Sequence, residues 1–302
     1  MRYEEMKKIN RDQVVFTMDK ENIPVLTVNP GDTILLETED CFSHQIVQDS
    51  DVLNDDFDYS RVNPATGPIF INNCQPGDIL AVTIEQITLD SQGAVELYPG
   101  WGPLGDKVKK AETKIVPIVD DMAKLNDIFL PIRPMIGVIG VAPDGEAVPC
   151  GSPGFHGGNM DTVDIVQGSK LYFTVFVSGA NLSLGDVHAV MGDGEVCGTG
   201  VEIRAEIMIR VEVIKNKALS HPLLESKDNY YLINSADTLE EAIRINTEKV
   251  VQFIQQQSGT SWSEAYMLAS IATDLKISQV VNPLKTVRTR IPKNIIKKSW
   301  PQ

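Results

Sequence analysis

Long apolar runs are missing from this 302-residue chain. The best of them, residues 136–142, falls far short of the ~20 residues that a membrane-spanning helix needs, which argues against a helical membrane span. The first residues, MRYEEMKK, contain no apolar stretch, so no secretory signal is read there and the expected compartment is the cytoplasm. Cysteine is scarce. Cys41, Cys74, Cys150 and Cys197 form no CxxC pair, and free thiols are expected rather than a disulfide framework. Positive charge is in short supply as well. Lys and Arg number 27 against 41 Asp and Glu, a net −14, which argues against nucleic acid as a partner because phosphate contacts need basic patches. No internal repeat, P-loop, dinucleotide fingerprint or Gly-x-Ser-x-Gly elbow is present.

What remains is an ordinary soluble composition, 42% hydrophobic and 23% charged, long enough for a substantial core. Residues 13–18, 23–28 and 33–37 are short β-type runs. Asn29-Pro30-Gly31-Asp32 and Gln75-Pro76-Gly77-Asp78 are turns that each feed a strand. Residues 79–89 alternate apolar and polar side chains as a long half-buried strand does. Residues 135–141, 170–178 and 205–213 are further strands. Residues 40–66 are irregular and rich in Asp and Asn between 49 and 58, and a loop of that length in a compact domain is usually functional or mobile. Residues 91–133 are expected to be rich in loops, and 63–68 to form a corner.

The pattern changes near the C-terminus. Thr238 precedes helical apolar spacing through Gln257, and Ser261 or Ser263 opens a second helix. The expected architecture is therefore mainly β with a smaller α/β part: a β-sandwich or barrel-like core and two C-terminal helices. The expected organisation is a β-rich part over 1–134, a site-bearing β-rich segment over 135–220 and a helical and αβ part over 221–302, packed as one unit. Residues 285–302 carry six basic residues on an acidic chain, which suggests packing against the acidic body or another subunit.

One stretch resists a purely structural account. Residues 185–202, GDVHAVMGDGEVCGTGVE, hold five glycines among Asp186, His188, Asp193, Glu195, Cys197 and Glu202. Ordering such a segment costs backbone entropy and buries little apolar surface, so building a site is the better explanation. On a strand Asp186 and His188 share a face, where a carboxylate and an imidazole can ligate one divalent metal or act as an acid–base pair. Gly157-Gly158-Asn159-Met160-Asp161, preceded by His156, offers close backbone approach and polar groups two apart. Residues 39–45 offer Asp40 and His44. Of the four histidines three lie in these stretches, while His221 precedes Pro222 and reads as structural. Asp193 and Glu195 are candidates for a general base. Cys197 is a candidate nucleophile without a basic neighbour in sequence to activate it.

The stretch GDVHAVMGDGEVCGTGVE resembles the signature of the acetamidase/formamidase family. NPATGPIFINNCQPGDILAVTI and GFHGGNMDTVDI resemble that family too, in the same order, so the likeness spans at least residues 29–210. One departure is Gly154-Phe155-His156, where relatives often carry an arginine. Gly151-Ser152-Pro153-Gly154, by contrast, lacks the lysine and alternating serines of an amidase-signature Ser-Ser-Lys site. The resemblance implies hydrolysis of formamide or acetamide to ammonia and a carboxylate, by a cytoplasmic homodimer or higher homo-oligomer with no organic cofactor. The expected centre is a divalent metal, zinc first, held by His44, Asp161, Asp186 and His188. Glu195 or Asp193 is expected as base, with Asn159, Gly158 and Gly194 against the substrate. Three alternatives stand beside it: a metal-free site using Glu195 and Cys197, a larger or ureido/guanidino substrate, and a non-enzymatic metal- or amide-binding protein.

Overall fold

The computed structural model describes residues 7–301. Two large sheets share one apolar core. The first has nine strands. It runs from Lys7–Ile9 at one edge through Thr33–Thr38, Ala205–Ile214, Ile79–Leu89, Lys170–Thr174, Leu223–Glu225, Asn229–Ala236 and Lys285–Pro292 to Asp274–Gln279 at the other. The second has eleven, and its centre is Leu182–His188, which pairs antiparallel with Met135–Gly140, Glu202–Ile203 and Ala65–Ile71. Inward side chains of the first sheet (Ile34, Val82, Phe173, Ile209) and of the second (Ile69, Ile136, Ile139, Leu184) pack into a single cluster. Period-2 alternation drives this packing, because it turns every second side chain inward. Neither sheet closes on itself, so of the two expected arrangements the sandwich is the one found.

A third layer covers the outer face of the nine-stranded sheet. Helix α1 (Leu239–Ser258) begins at Thr238, whose hydroxyl accepts from Glu241 N–H, and ends at Gly259 in the left-handed region, φ 65°. Helix α2 (Trp262–Ala272) opens with a capping box between Ser261 and Glu264. Their buried residues, including Val250, Phe253, Ile254 and Ala265, pack on Ile79, Tyr172, Tyr230 and Leu232 of the sheet. Among the described residues no helix is long and apolar enough to cross a membrane.

Two local expectations are corrected. Residues 91–133 contain four strands, Gln92–Leu97, Glu112–Val119, Met122–Leu125 and Ile128–Pro131, joined as an antiparallel meander. Their alternation is masked because Pro117 interrupts it and because Ile128–Pro131 is exposed on both faces. The expected corner at 63–68 instead opens the strand Ala65–Ile71, which runs through Gly67 and Pro68. The basic C-terminal residues in part face the acidic body: Arg288 is fully buried and paired with Asp164 at 2.7 Å and Asp193 at 2.6 Å.

Candidate active site

The site forms where the central strand of the eleven-stranded sheet leaves its ladder. Leu182–His188 is buried along its whole length, and its last residue pairs with Glu202 across the sheet. Opposite it, Met135–Gly140 pairs with Gly157–Asn159, which delivers Asn159 and then Asp161 to the same place. The loop 189–201 brings back Glu195. Asp161, Asp186, His188, Glu195 and Glu202 thus meet in the interior, each no more than 6% exposed.

Distances within the cluster are short. His188 Nε2 lies 3.1 Å from Glu202 Oε2, 3.4 Å from Asp186 Oδ1 and 4.0 Å from Asp161 Oδ1. Asp161, Asp186 and His188 form one trio of closely spaced donor atoms, and His188, Glu195 and Glu202 another. Three of the acids adopt left-handed backbone: Asp161 at φ 42°, Asp186 at 55° and Glu195 at 47°. Non-glycine residues held there store strain, and such strain collects at functional sites. Asp186 consequently drops out of the ladder, whose pairing passes from Val138↔Gly185 to Ile136↔Val187. Gly137 lies beneath the break. A Cβ there would come within 2.5 Å of Asp161 Oδ1 and 2.7 Å of Asp186 Oδ2, so only glycine leaves room for both carboxylates.

Four carboxyl groups and one imidazole share this space, and among the described residues no lysine or arginine pairs with any of the four. Burial pushes Asp161 up to about 6, and the Asp186 carboxylate adds to the shift. Burial also carries Glu202 up to about 8 against the opposing pull of His188. Glu195 is driven well above the carboxylate range by burial and by Asp161. Burial alone would lower the His188 ring, but Glu202 and Asp186 outweigh it and hold the ring well above its ordinary value. Asp186 Oδ1 and Glu202 Oε2 are buried without a hydrogen-bond partner. Oxygens that accept no hydrogen bond and share a single imidazole, with no lysine or arginine paired to them among the described residues, suit a bound cation, and the cluster can hold one.

A cavity of about 270 Å³ opens onto Asn159, Asp186, Glu195 and Glu202, near the lower end of the range for small-molecule sites, ~300–1,000 Å³. Its outer wall comes from the 40–66 loop and from Trp101. Phe42, Phe57, Tyr59, Tyr98 and Trp101 form a chain of aromatic contacts with centroids 4.9–6.5 Å apart. The wall is thus apolar and the floor polar.

Asp161, Asp186, His188, Glu195 and Asn159, all expected from the sequence, are brought together. With its amide nitrogen turned to the acids, Asn159 donates to Asp186 Oδ2 at 3.1 Å and to Asp161 Oδ2 at 2.8 Å. Other candidates are placed elsewhere. His44 is exposed, 3.4 Å from Asp40, in a separate group with Glu39 and Asp40. Asp193 turns to Arg288 and is 39% exposed. The N–H of Gly194 donates to Ser278 O at 2.9 Å, and its C=O accepts from Val280, so its backbone is already paired. Gly158 sits in the ladder opposite Ile139 and does not line the cavity. Cys197 Sγ contacts Thr199 O at 3.7 Å and does not line the cavity either.

Two groups carried no assigned role in the sequence. Glu202 closes the glycine-rich stretch, and its meeting with His188 depends on strand register, which sequence spacing does not reveal. Asn282 comes from the far end of the chain and donates to Asp161 Oδ2 at 2.7 Å and to Asn159 O at 3.0 Å. Its only signal in sequence was a position just before Pro283.

A sequence profile of the acetamidase/formamidase family matches residues 5–150 and 146–298. The chain is 28% identical over 282 residues to an acetamidase of Mycolicibacterium smegmatis, covering 69% of this chain and 68% of that protein. It is 27% identical over 260 residues to a formamidase of Methylophilus methylotrophus, covering 65% of this chain and 63% of that protein, and so spans less than two thirds of its length. Among solved structures, an acetamidase from Bacillus halodurans matches with a TM-score of 0.93 and 42% identity, over 95% of this chain and 97% of that one. The chain belongs to the acetamidase/formamidase family.

Proposed function

We propose that the protein hydrolyses a short linear amide, formamide or acetamide, to ammonia and the carboxylate. The observation that carries this reading is the buried cluster of His188 and four acids at the floor of a small cavity with an aromatic wall. Family membership supports it, as do the names of the formamidase and acetamidase relatives.

Asp161, Asp186 and His188 would hold a divalent cation. An imidazole nitrogen among carboxylates favours zinc over calcium or magnesium. Such an ion, when bound, polarises the amide carbonyl and lowers the pKa of a bound water. Glu195 takes the proton of the attacking water and returns it to the amide nitrogen, which leaves as ammonia. A carboxyl raised by burial is a stronger base near neutral pH than a solvated one, and this favours Glu195 over the half-exposed, ion-paired Asp193. Asn159 and Asn282 orient Asp161 and Asp186 through their amide nitrogens. Phe42, Tyr59 and Trp101 exclude water from the acyl side. The same reading places the protein in the cytoplasm as a homo-oligomer; Trp262, Tyr266, Met267 and Ile271, exposed on α2, are apolar surface that a second copy could cover.

The test is ammonia release from formamide, acetamide, propionamide and urea, with metal analysis before and after chelation. Release from the small amides, lost on chelation and restored by zinc, is expected. Bound metal without ammonia from any amide would overturn the enzyme reading. Activity untouched by thorough metal removal would overturn the metal's role and leave Glu195 acting alone.

A further inference from the structure

We propose that Cys41, Asp186 and Glu202 form a second cation position on the cavity side of the site, with a sulfur ligand that selects a thiophilic divalent ion. The proposal rests on the reading of Asp161, Asp186 and His188 as a cation site.

Cys41 Sγ and one oxygen each from Asp186 and Glu202 lie within 4.8 Å of one another, and all three residues are buried. One oxygen of each carboxylate is already fixed. Glu202 Oε1 accepts from Gly200 N–H at 2.9 Å, and Asp186 Oδ2 accepts from the Asn159 amide at 3.1 Å. The other oxygens, Glu202 Oε2 and Asp186 Oδ1, accept no hydrogen bond although both residues are 2% exposed, and they share one neighbour, His188 Nε2, at 3.1 and 3.4 Å. One imidazole shared between two buried carboxylates, with Asp161 and Glu195 close by, leaves negative charge that a cation beside Cys41 would offset.

Two positions follow from how the donors are divided. Cys41, Asp186 and Glu202 all line the cavity; Asp161 and His188 do not and lie behind it. Cys41 and His188 fall in different trios, and among the described residues no group of closely spaced donors contains both. Asp186 belongs to a trio on each side and Glu202 to a trio with each of Cys41 and His188, so these two carboxylates stand between the inner and outer positions. Pairs of ions that share ligands recur in metal-dependent hydrolases.

The donor set defines the ion. Thiolate with two carboxylates suits zinc, cobalt or cadmium and disfavours calcium and magnesium, which take oxygen alone. Binding converts the thiol to a thiolate: the S–H bond breaks, the sulfur–metal bond forms, and the proton leaves to solvent through the cavity. No electrons are exchanged.

The experiment loads the full chain with cobalt(II). Wild type should bind two equivalents and show a thiolate-to-cobalt charge-transfer band in the near ultraviolet. Cys41→Ser should lose the band and one equivalent and keep the other, while Cys197→Ser should keep both. A wild type without the band overturns the proposal, as does a band that survives in Cys41→Ser. Should Cys41→Ser not fold, alkylation of wild type decides, with Cys41 protected in the cobalt-loaded protein and modified after chelation; equal modification in both overturns the proposal. Ammonia release with one equivalent and no band would remove the second position and leave the hydrolase reading standing. The band without ammonia release would do the reverse.

Discussion

Arg288 donates from Nη2 to Asp193 Oδ1 at 2.6 Å and from Nε to Asp164 Oδ2 at 2.7 Å, so a fully buried guanidinium from the C-terminal strand fixes the loop that carries Glu195. On the proposed reading, with Glu195 as the base, Asp193 therefore acts by positioning the loop. Asp193→Asn should keep kcat for ammonia release within about tenfold, whereas Glu195→Gln should lose about 10²–10⁴-fold, the usual value of a general base. Equal losses would move the base to Asp193. Arg288→Met should also destabilise the fold, by about 2–3 kcal/mol in urea unfolding. That is less than the ~3–5 kcal/mol for breaking a fully buried pair, because the Asp193 carboxylate can turn to water.

Glu96 is fully buried away from the site, and Thr113 Oγ1 is 2.5 Å from its Oε1. Thr113 Oγ1 also lies within hydrogen-bond reach of Asp51 O. A hydroxyl has one proton to give, so a protonated Glu96 that donates to Thr113, which then donates to Asp51, satisfies all three groups. Burial pushes Glu96 up to about 7. The folded state then holds a proton that the unfolded state has released, and stability is lost as pH rises from 4.5 towards 7. Glu96→Gln should remove that loss, on the order of 3 kcal/mol, in melts compared with wild type at pH 5 and pH 8. Identical pH profiles would disprove it.

His156 behaves in the opposite sense. It is buried, both ring nitrogens lack partners, and burial lowers it to about 4. Between 4 and 6.5 the unfolded state binds the proton that the folded state refuses, so stability is lost as pH falls through that window. His156→Leu should flatten the acid limb by an amount on the order of 3 kcal/mol. The His156 and Glu96 slopes oppose one another where their windows overlap, so each variant should unmask the other residue's slope. A His156→Leu curve parallel to wild type would count against this account.

Gly198 has φ 106°, and a Cβ on it would lie 2.7 Å from Trp101 Cε3. Gly198→Ala should push Trp101 off its seat and raise KM. Trp101→Ala should widen the acyl side of the cavity and shift kcat/KM towards propionamide over acetamide by roughly 10-fold or more, the scale of one methylene in an apolar pocket. A ratio unchanged in both variants would exclude Trp101 from acyl selection.

The sandwich and both helices were legible because alternation and capping are local signals. Ile79–Leu89 and the cap at Thr238 match expectation to the residue, and of the two serines expected to open the second helix Ser261 is the cap. The acidic core of the site was legible for a different reason. Asp161, Asp186, His188 and Glu195 lie in glycine-rich segments with too little apolar surface to need another explanation. Glu202, Cys41 and Asn282 were not assigned to the site because their meeting depends on strand register and on contacts between segments far apart in the chain, such as Asn282 with Asp161, 121 residues away. His44 misled because proximity of residue types in sequence does not carry across a loop; Asp40 caps His44 N–H locally at 3.0 Å.

Asn282 and Arg288 also impose an order of events. Synthesis delivers Asp161, Asp186, His188, Glu195 and Glu202 well before the groups that steady them, an interval on the order of ten seconds at ribosomal speeds. Until then Asp161 lacks its Asn282 amide and the Glu195 loop lacks its anchor, while the nine-stranded sheet waits for Asp274–Gln279 and Lys285–Pro292. A chain interrupted before these strands would carry every proposed reactive side chain and still be inert. The C-terminal strands are therefore the last parts needed before the centre has all of its supports.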